Sequence, residues 1–147
     1  MKKRLSGFSL IELLIVLTIT ISILVLAAPR LTGTLDSLQL KKLSREIVAS
    51  LRATRSQAIS KGQDGTWLLD LEKHYFQYGR ENTKISYADD IKLTLTTASK
   101  EQVSDTVARI RFFPDGSATG GEIKLNQGKF NYSIQIDWLT GRVKIYE

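Results

Sequence analysis

The chain is 147 residues long, 42% hydrophobic and 24% charged, one domain's worth of chain once an apolar N-terminal run is subtracted. It has no cysteine, which excludes a disulfide framework and thiolate metal sites. Its formal charge of +6 falls to +3 without Lys2, Lys3 and Arg4, because 18 basic residues then face 15 acidic ones, and so mild an excess is weak support for a polyanionic partner.

The first element is an apolar run, residues 8–28, in which 16 of 21 side chains are Phe, Leu, Ile, Val or Ala. A membrane-spanning helix needs about 20 residues, so the run suffices for one span. Ser9, Thr18, Thr20 and Ser22 are cheap there, since each hydroxyl can bond back to a carbonyl one turn earlier. Glu12 is not cheap. A carboxylate in a spanning segment costs on the order of 2.5–3.5 kcal/mol near the middle and less near an end. No other residue of the run is charged, so Glu12 needs a partner from elsewhere. The plainer account is a carboxylate favoured by a helix N-terminus, worth about 0.3–1 kcal/mol when exposed, and it does not explain tolerating Glu12 in lipid. Lys2, Lys3 and Arg4, with no acid beside them, keep their end cytoplasmic and send residues 29–147 outward. A cleaved secretory signal is the competing reading. Leu26-Ala27-Ala28, however, places leucine where a small residue belongs and is followed by Pro29.

Residues 29–61 read as a continuing helix. Pro29 is expected to kink it, because it removes a backbone donor and crowds the preceding turn. Gly33 is a second weak point. Leu40, Leu43, Ile47, Leu51, Ala58 and Ile59 mostly recur at three- and four-residue steps, one stripe of an amphipathic helix, and Gly62 supplies its stop. Within residues 41–61, Lys41, Lys42, Arg45, Arg52, Arg55 and Lys61 face the single acid Glu46. A solvated helix face accounts for them more readily than a nucleic-acid patch.

After Gly62 the pattern changes to period two. Thr66 to Leu71 and Tyr75 to Tyr78 form a hairpin around Glu72-Lys73. Residues 79–90 are polar and irregular, a loop. Ile91-Leu93-Leu95 and Ile110-Phe112 alternate with polar neighbours, and Pro114-Asp115-Gly116 is a turn. Ile123-Leu125 is a short strand. Phe130, Tyr132, Ile134, Ile136 and Trp138 alternate with Asn131, Ser133, Gln135 and Asp137 as a longer one. Leu139-Thr140-Gly141 turns the chain, and Val143 and Ile145 mark the inner face of the last strand. Strands bunched after one helix predict an α+β fold, two antiparallel layers packed on the helix.

Gly7-Phe8-Ser9-Leu10-Ile11-Glu12, behind a basic leader and opening a long apolar helix, resembles the type IV prepilin signal. The resemblance implies a leader of residues 1–7, a transmembrane and assembly helix of 8–28, and a periplasmic domain of 29–147. It implies cleavage between Gly7 and Phe8, N-methylation of Phe8, and a partner for Glu12 in the Phe8 amine of a neighbouring subunit. Further segments, Leu51-Arg52-Ala53-Thr54-Arg55-Ser56-Gln57-Ala58-Ile59, Phe113 to Gly121 and Asp137 to Val143, look like signatures of the H-type minor pseudopilins of bacterial type II secretion and their related minor pilins. Residues 62–110 match that family only as a generic strand-and-loop pattern. The family's members are structural, sitting near the tip of a periplasmic pseudopilus that helps export folded proteins across the outer membrane. The resemblance implies an inner-membrane location with the C-terminal domain in the periplasm. The implied partners are the major pseudopilin, other minor pseudopilins, the prepilin peptidase and the inner-membrane assembly platform, with secreted substrates or the outer-membrane secretin as further candidates. It also offers another reading of the basic helix face, contact with acidic surfaces on neighbouring subunits.

An enzyme finds little support. His74 is the only histidine, beside Tyr75 in a hairpin and without a nucleophile motif. Gly116 and Gly121 have phosphate-loop spacing, but Glu122-Ile123 stands where Lys and Ser/Thr are needed. Asp89-Asp90 lacks the regularly spaced oxygens of a calcium loop. No cofactor or metal is expected. The alternative within the same fold is a minor type IV pilin that takes part in pilus biogenesis or binds DNA for uptake. Its candidate contacts are Arg109, Arg111, Arg142 and Lys144, on alternating strand positions. With no basic tail and with Asp137 and Glu147 flanking, the charge balance favours secretion.

Overall fold

The computed structural model describes residues 9–79, 81–97, 101–104 and 106–147, without the side chains of 26–34. Helix α1 (Leu10–Lys61) is followed by eight strands: β1 (Gly65–Asp70), β2 (Tyr75–Tyr78), β3 (Thr83–Ser86), β4 (Lys92–Thr96), β5 (Val107–Phe112), β6 (Gly121–Gln127), β7 (Phe130–Ile136) and β8 (Val143–Tyr146). The chain divides into two compact units, Met1–Leu35 and Asp36–Glu147.

In the first unit, the large apolar side chains from Leu10 to Val25 are all more than half exposed, around the full circumference of the helix. A helix apolar all round belongs inside a protein core or a bilayer. The hydroxyls behave as their chemistry requires: Thr18 donates to the Leu14 carbonyl at 2.7 Å, Thr20 to Val16 at 2.8 Å and Ser22 to Thr18 at 2.8 Å. Among the described residues no helix is long and apolar enough to cross a membrane. The run expected to do so, 8–28, has side chains described only over 9–25, and the kink expected at Pro29 lies outside them.

In the second unit the helix buries Leu40, Leu43, Ile47, Val48, Leu51 and Ala58, the expected stripe with one correction. Ile59 is exposed, because it sits one residue, about 100° of helix, beyond Ala58. Hydroxyl residues complete the buried face. Ser44, Ser50 and Thr54 are buried and donate to carbonyls one turn back, so they cost little there. Their small size lets the first strand approach closely, and a Cβ on Gly65 would lie 2.9 Å from the Thr54 carbonyl. Trp67 then donates its indole N–H to Ser50 Oγ at 2.8 Å and stacks on Phe76, ring centres 5.3 Å apart. At the end of α1, Gly62 adopts φ +62° and the Gln63 N–H bonds back to the Ala58 carbonyl, a Schellman cap.

The strands form two four-stranded antiparallel sheets, in the orders β3-β2-β1-β5 and β4-β6-β7-β8. Trp67, Leu69, Phe76, Ile110 and Phe112 from the first, and Leu93, Ile123, Leu125, Ile134, Ile136 and Val143 from the second, join the helix stripe in one core. The α+β expectation therefore holds, and three details differ. Residues 79–90 contain β3, which pairs with β2 from Tyr75↔Ser86 to Tyr78↔Thr83. As an edge strand it half-buries only Ile85, so no alternation marks it, and it is held through its backbone ladder. The strand β7 stops at Ile136, leaving Trp138 in the following turn and exposed. On the edge strand β8, Val143 is buried but Ile145 is 39% exposed.

Candidate functional site

Three stretches far apart in the chain meet at one place: α1 around Arg52 and Arg55, the loop 113–121 and the loop 137–143. Each loop is first closed on itself. Asp115 Oδ1 accepts the N–H and hydroxyl of Ser117, at 2.9 and 2.6 Å, while the Gly116 N–H reaches the Phe113 carbonyl. Asp137 Oδ1 likewise accepts the N–H and hydroxyl of Thr140, at 2.7 and 2.8 Å, and the Gly141 N–H returns to the Asp137 carbonyl. These are aspartate-initiated turns, and the bonds act on ionisation. The Ser117 hydroxyl foremost holds Asp115 below the usual carboxylate range, and the Thr140 N–H does the same for Asp137.

The loops are then fastened to each other and to the helix. The Ala118 N–H bonds the Trp138 carbonyl at 2.9 Å. From α1, Arg55 Nε donates to the Gly116 carbonyl at 3.0 Å and Arg52 Nη2 to the Val143 carbonyl at 3.2 Å. Gly141 (φ +60°) closes the junction: a Cβ there would collide with the Gly116 carbonyl and sit 2.8 Å from Arg55 Nε. The result is a rigid corner. On its outer side Trp138 is 66% and Leu139 62% exposed, an apolar pair held out in water by the turn that carries it.

The residues singled out from sequence are dispersed. Gly7 and Phe8 lie outside the described residues. Glu12 is exposed in the first turn of α1, two residues after Leu10 opens the helix. Arg109 and Arg111 lie on β5 in the first sheet, whereas Arg142 precedes and Lys144 lies within β8 in the second. The two β5 arginines are engaged. Arg109 Nε meets the buried Glu101 carboxylate at 2.8 Å, and Arg111 reaches it at 3.3 Å and Asp64 at 3.7 Å. Arg142 and Lys144 instead face Arg52 and Arg55 across an open hollow. Charge periodicity could not reveal those two helix arginines as part of a site, although the signature stretch Leu51 to Ile59 contains both.

The remaining candidates have partners of their own. His74 Nδ1 lies 2.6 Å from Asp89 Oδ1, and Asp90 accepts from Gln127 Nε2 at 2.9 Å. Among the described residues no group of three or more His, Cys, Asp or Glu side chains could hold a metal ion.

Solved structures share this architecture. The minor pseudopilin EpsH of the Vibrio cholerae type 2 secretion system superposes with a TM-score of 0.59 at 10% identity, over 74% of this chain and 96% of that one. The type IV minor pilin FimU of Pseudomonas aeruginosa gives 0.56 at 16% identity, over 76% and 90%. Likeness at these identities concerns the fold. In sequence, the type II secretion system protein H of Xanthomonas campestris pv. campestris is 33% identical over 144 residues, 97% of this chain and 84% of that protein. The family described as type II transport protein GspH matches residues 43–140, a range that holds the first two stretches of the corner and the third as far as Thr140. The chain belongs to the GspH family of type II transport proteins.

Proposed function

We propose that this chain, an H-type minor pseudopilin, enters a periplasmic pseudopilus near its tip and there helps drive folded proteins across the outer membrane. The observation that carries the reading is the 33% identity to a type II secretion system protein H over 97% of the chain. Its role is structural, and the rigid corner supplies surface for contact with other subunits.

Before assembly the segment 8–28 anchors the chain in the inner membrane, with residues 1–7 cytoplasmic and 29–147 periplasmic. Support comes from the all-round apolar surface of Leu10 to Val25 and the basic residues ahead of it. The prepilin peptidase cuts between Gly7 and Phe8 and methylates the new amine. Glu12 then pairs with the Phe8 amine of a neighbouring subunit as the helix joins the filament, which offsets burying both charges. The major pseudopilin, other minor pseudopilins and the inner-membrane platform are the partners of that step.

The pilus-side alternative, a DNA-binding minor pilin, has less to stand on. Of its four candidate contacts, Arg109 and Arg111 are already engaged in ion pairs, both with Glu101 and Arg111 also with Asp64.

A Glu12→Ala chain in cells with the whole secretion apparatus tests the reading. Cleavage and membrane insertion should be unchanged, with mass spectrometry finding methylated Phe8 at the N-terminus. Crosslinking to the major pseudopilin and export of folded substrates should fall. Wild-type crosslinking and export by the variant would refute the role given to Glu12, and an intact Met1 would refute the processing.

A further inference from the structure

Four cations from two distant stretches of chain share one hollow. Arg52 and Arg55 line it from α1, and Arg142, just before β8, and Lys144, within it, line it from the other side, around a space of ≈ 600 Å³. No carboxylate lines it. Among the described residues none of the four cations takes part in an ion pair. The acid in the adjoining turn, Asp137, is committed to the N–H groups of Thr140 and Leu139 and the Thr140 hydroxyl, and Lys144 contributes least to its ionisation. Gathering like charges costs free energy that an opposite charge would relieve.

The cations are also held in place. Arg52 and Arg55 each spend one N–H on a loop carbonyl, which orients a five-donor fork and leaves further donors for a ligand. Ile59, exposed, lines the hollow, and Arg142 and Lys144 also line an adjoining one with Trp138, Asp137 and Glu122, the last engaged by the Ser133 hydroxyl and by Lys124.

We propose that this hollow seats an acidic, carboxylate-bearing segment of another pseudopilin subunit, with Trp138 and Ile59 as apolar contacts beside the charges. The inference rests on the reading of the chain as a filament subunit and names the surface and chemistry of one contact. Charge complementarity alone would admit a nucleic-acid phosphate. Apolar surface on both sides of Arg142 and Lys144 decides for protein: Ile59 lines this hollow and Trp138 the adjoining one, and exposed tryptophan near arginine is the composition of a protein interface centre. A phosphate track would leave Trp138 and Ile59 in water and would need basic residues extending past one hollow.

The test uses the full-length chain in cells that assemble the secretion apparatus, with a photo-crosslinking residue at Ser56 on the wall of the hollow. A second chain carries it at Leu14 in the apolar helix. From position 56 the crosslink should map to an Asp- or Glu-rich segment of another pseudopilin. Arg142→Glu with Lys144→Glu should lower its yield about tenfold or more, as loss of close interfacial charge pairs does. Arg142→Lys should retain it, and unchanged protease resistance of the ectodomain checks that each variant folds. A crosslink to nucleic acid, to a segment without carboxylates, or of equal yield in the charge-reversed chain would overturn the proposal. So would silence at position 56 while position 14 still captures a pseudopilin, an outcome that leaves the filament reading standing. Silence at both positions overturns that reading as well.

Discussion

Glu101 decides what two arginines can do. It is 5% exposed and bridges Arg109 and Arg111, which are about one-third exposed. A buried carboxylate is tolerated only when its oxygens are matched, and two guanidinium groups match them. On an open strand the same arginines would be an anion site, whereas here they hold the stretch before β5 to the sheet. Replacing Glu101 by Ala should cost about 2 kcal/mol in urea denaturation, the range for losing hydrogen bonds to charged groups. The larger penalty of stranding buried charges is not expected, because both arginines can turn to water. The variant should also bind duplex DNA more readily at low salt, since two cations are released. A stability loss within about 0.5 kcal/mol, as at an ordinary surface site, would mean that the bridge is not what holds this segment.

Elements meet here through loops more than through helix faces alone, and glycine marks the tightest meeting. Gly62 and Gly141 share nearly the same backbone, φ +62° and +60°. A Cβ on Gly62 would meet nothing within 4 Å, whereas one on Gly141 would run into the Gly116 carbonyl and Arg55. The two glycines therefore separate conformational cost from steric cost. Gly62→Ala should destabilise by about 1–2 kcal/mol, the cost of a left-handed residue with a side chain. Gly141→Ala should lose that and roughly 1–3 kcal/mol more, the usual range for forcing extra carbon into a packed site. It should also loosen the corner that presents Trp138. Denaturant midpoints for the pair, with Trp138 fluorescence, measure both effects. Equal losses at the two positions would show that the corner yields without cost.

For the whole molecule, residues 29–147 contain every strand of the described residues and the buried helix stripe, so they should fold without the apolar segment ahead of them. Circular dichroism should show mixed helix and sheet with one cooperative melt, and a disordered spectrum would count decisively against the architecture. The same domain should weaken at alkaline pH. Burial, with the charge of Asp70 second, pushes Tyr87 up to about 12. A group with a raised folded pKa contributes stability fully present below its unfolded value, near 10, and lost as pH rises through the folded value. The melt should therefore fall between about pH 10 and about 12, and Tyr87→Phe should flatten that limb. Equal slopes in the two proteins would place the alkaline loss elsewhere.

The α+β class, the helix stripe, the Gly62 cap and most strands were legible in the chain because each rests on local periodicity or turn chemistry. So was the chemical oddity of Glu12, since one carboxylate in an apolar run stands out by composition alone. The edge strand β3 escaped notice because backbone pairing holds it, and Thr83-Lys84-Ile85-Ser86 offers no alternating face. Trp138 continued an alternating pattern in sequence but left the sheet in space, because the Asp137 turn ends β7 first. Only the tertiary structure could divide the arginines. Arg109 and Arg111 look like Arg142 and Lys144 along the chain, yet one pair is bridged by a buried glutamate eight or more residues away, and the other opens onto the helix arginines Arg52 and Arg55. Charge is written residue by residue, but its compensation depends on distances between residues that the chain keeps far apart, and folding sets those distances.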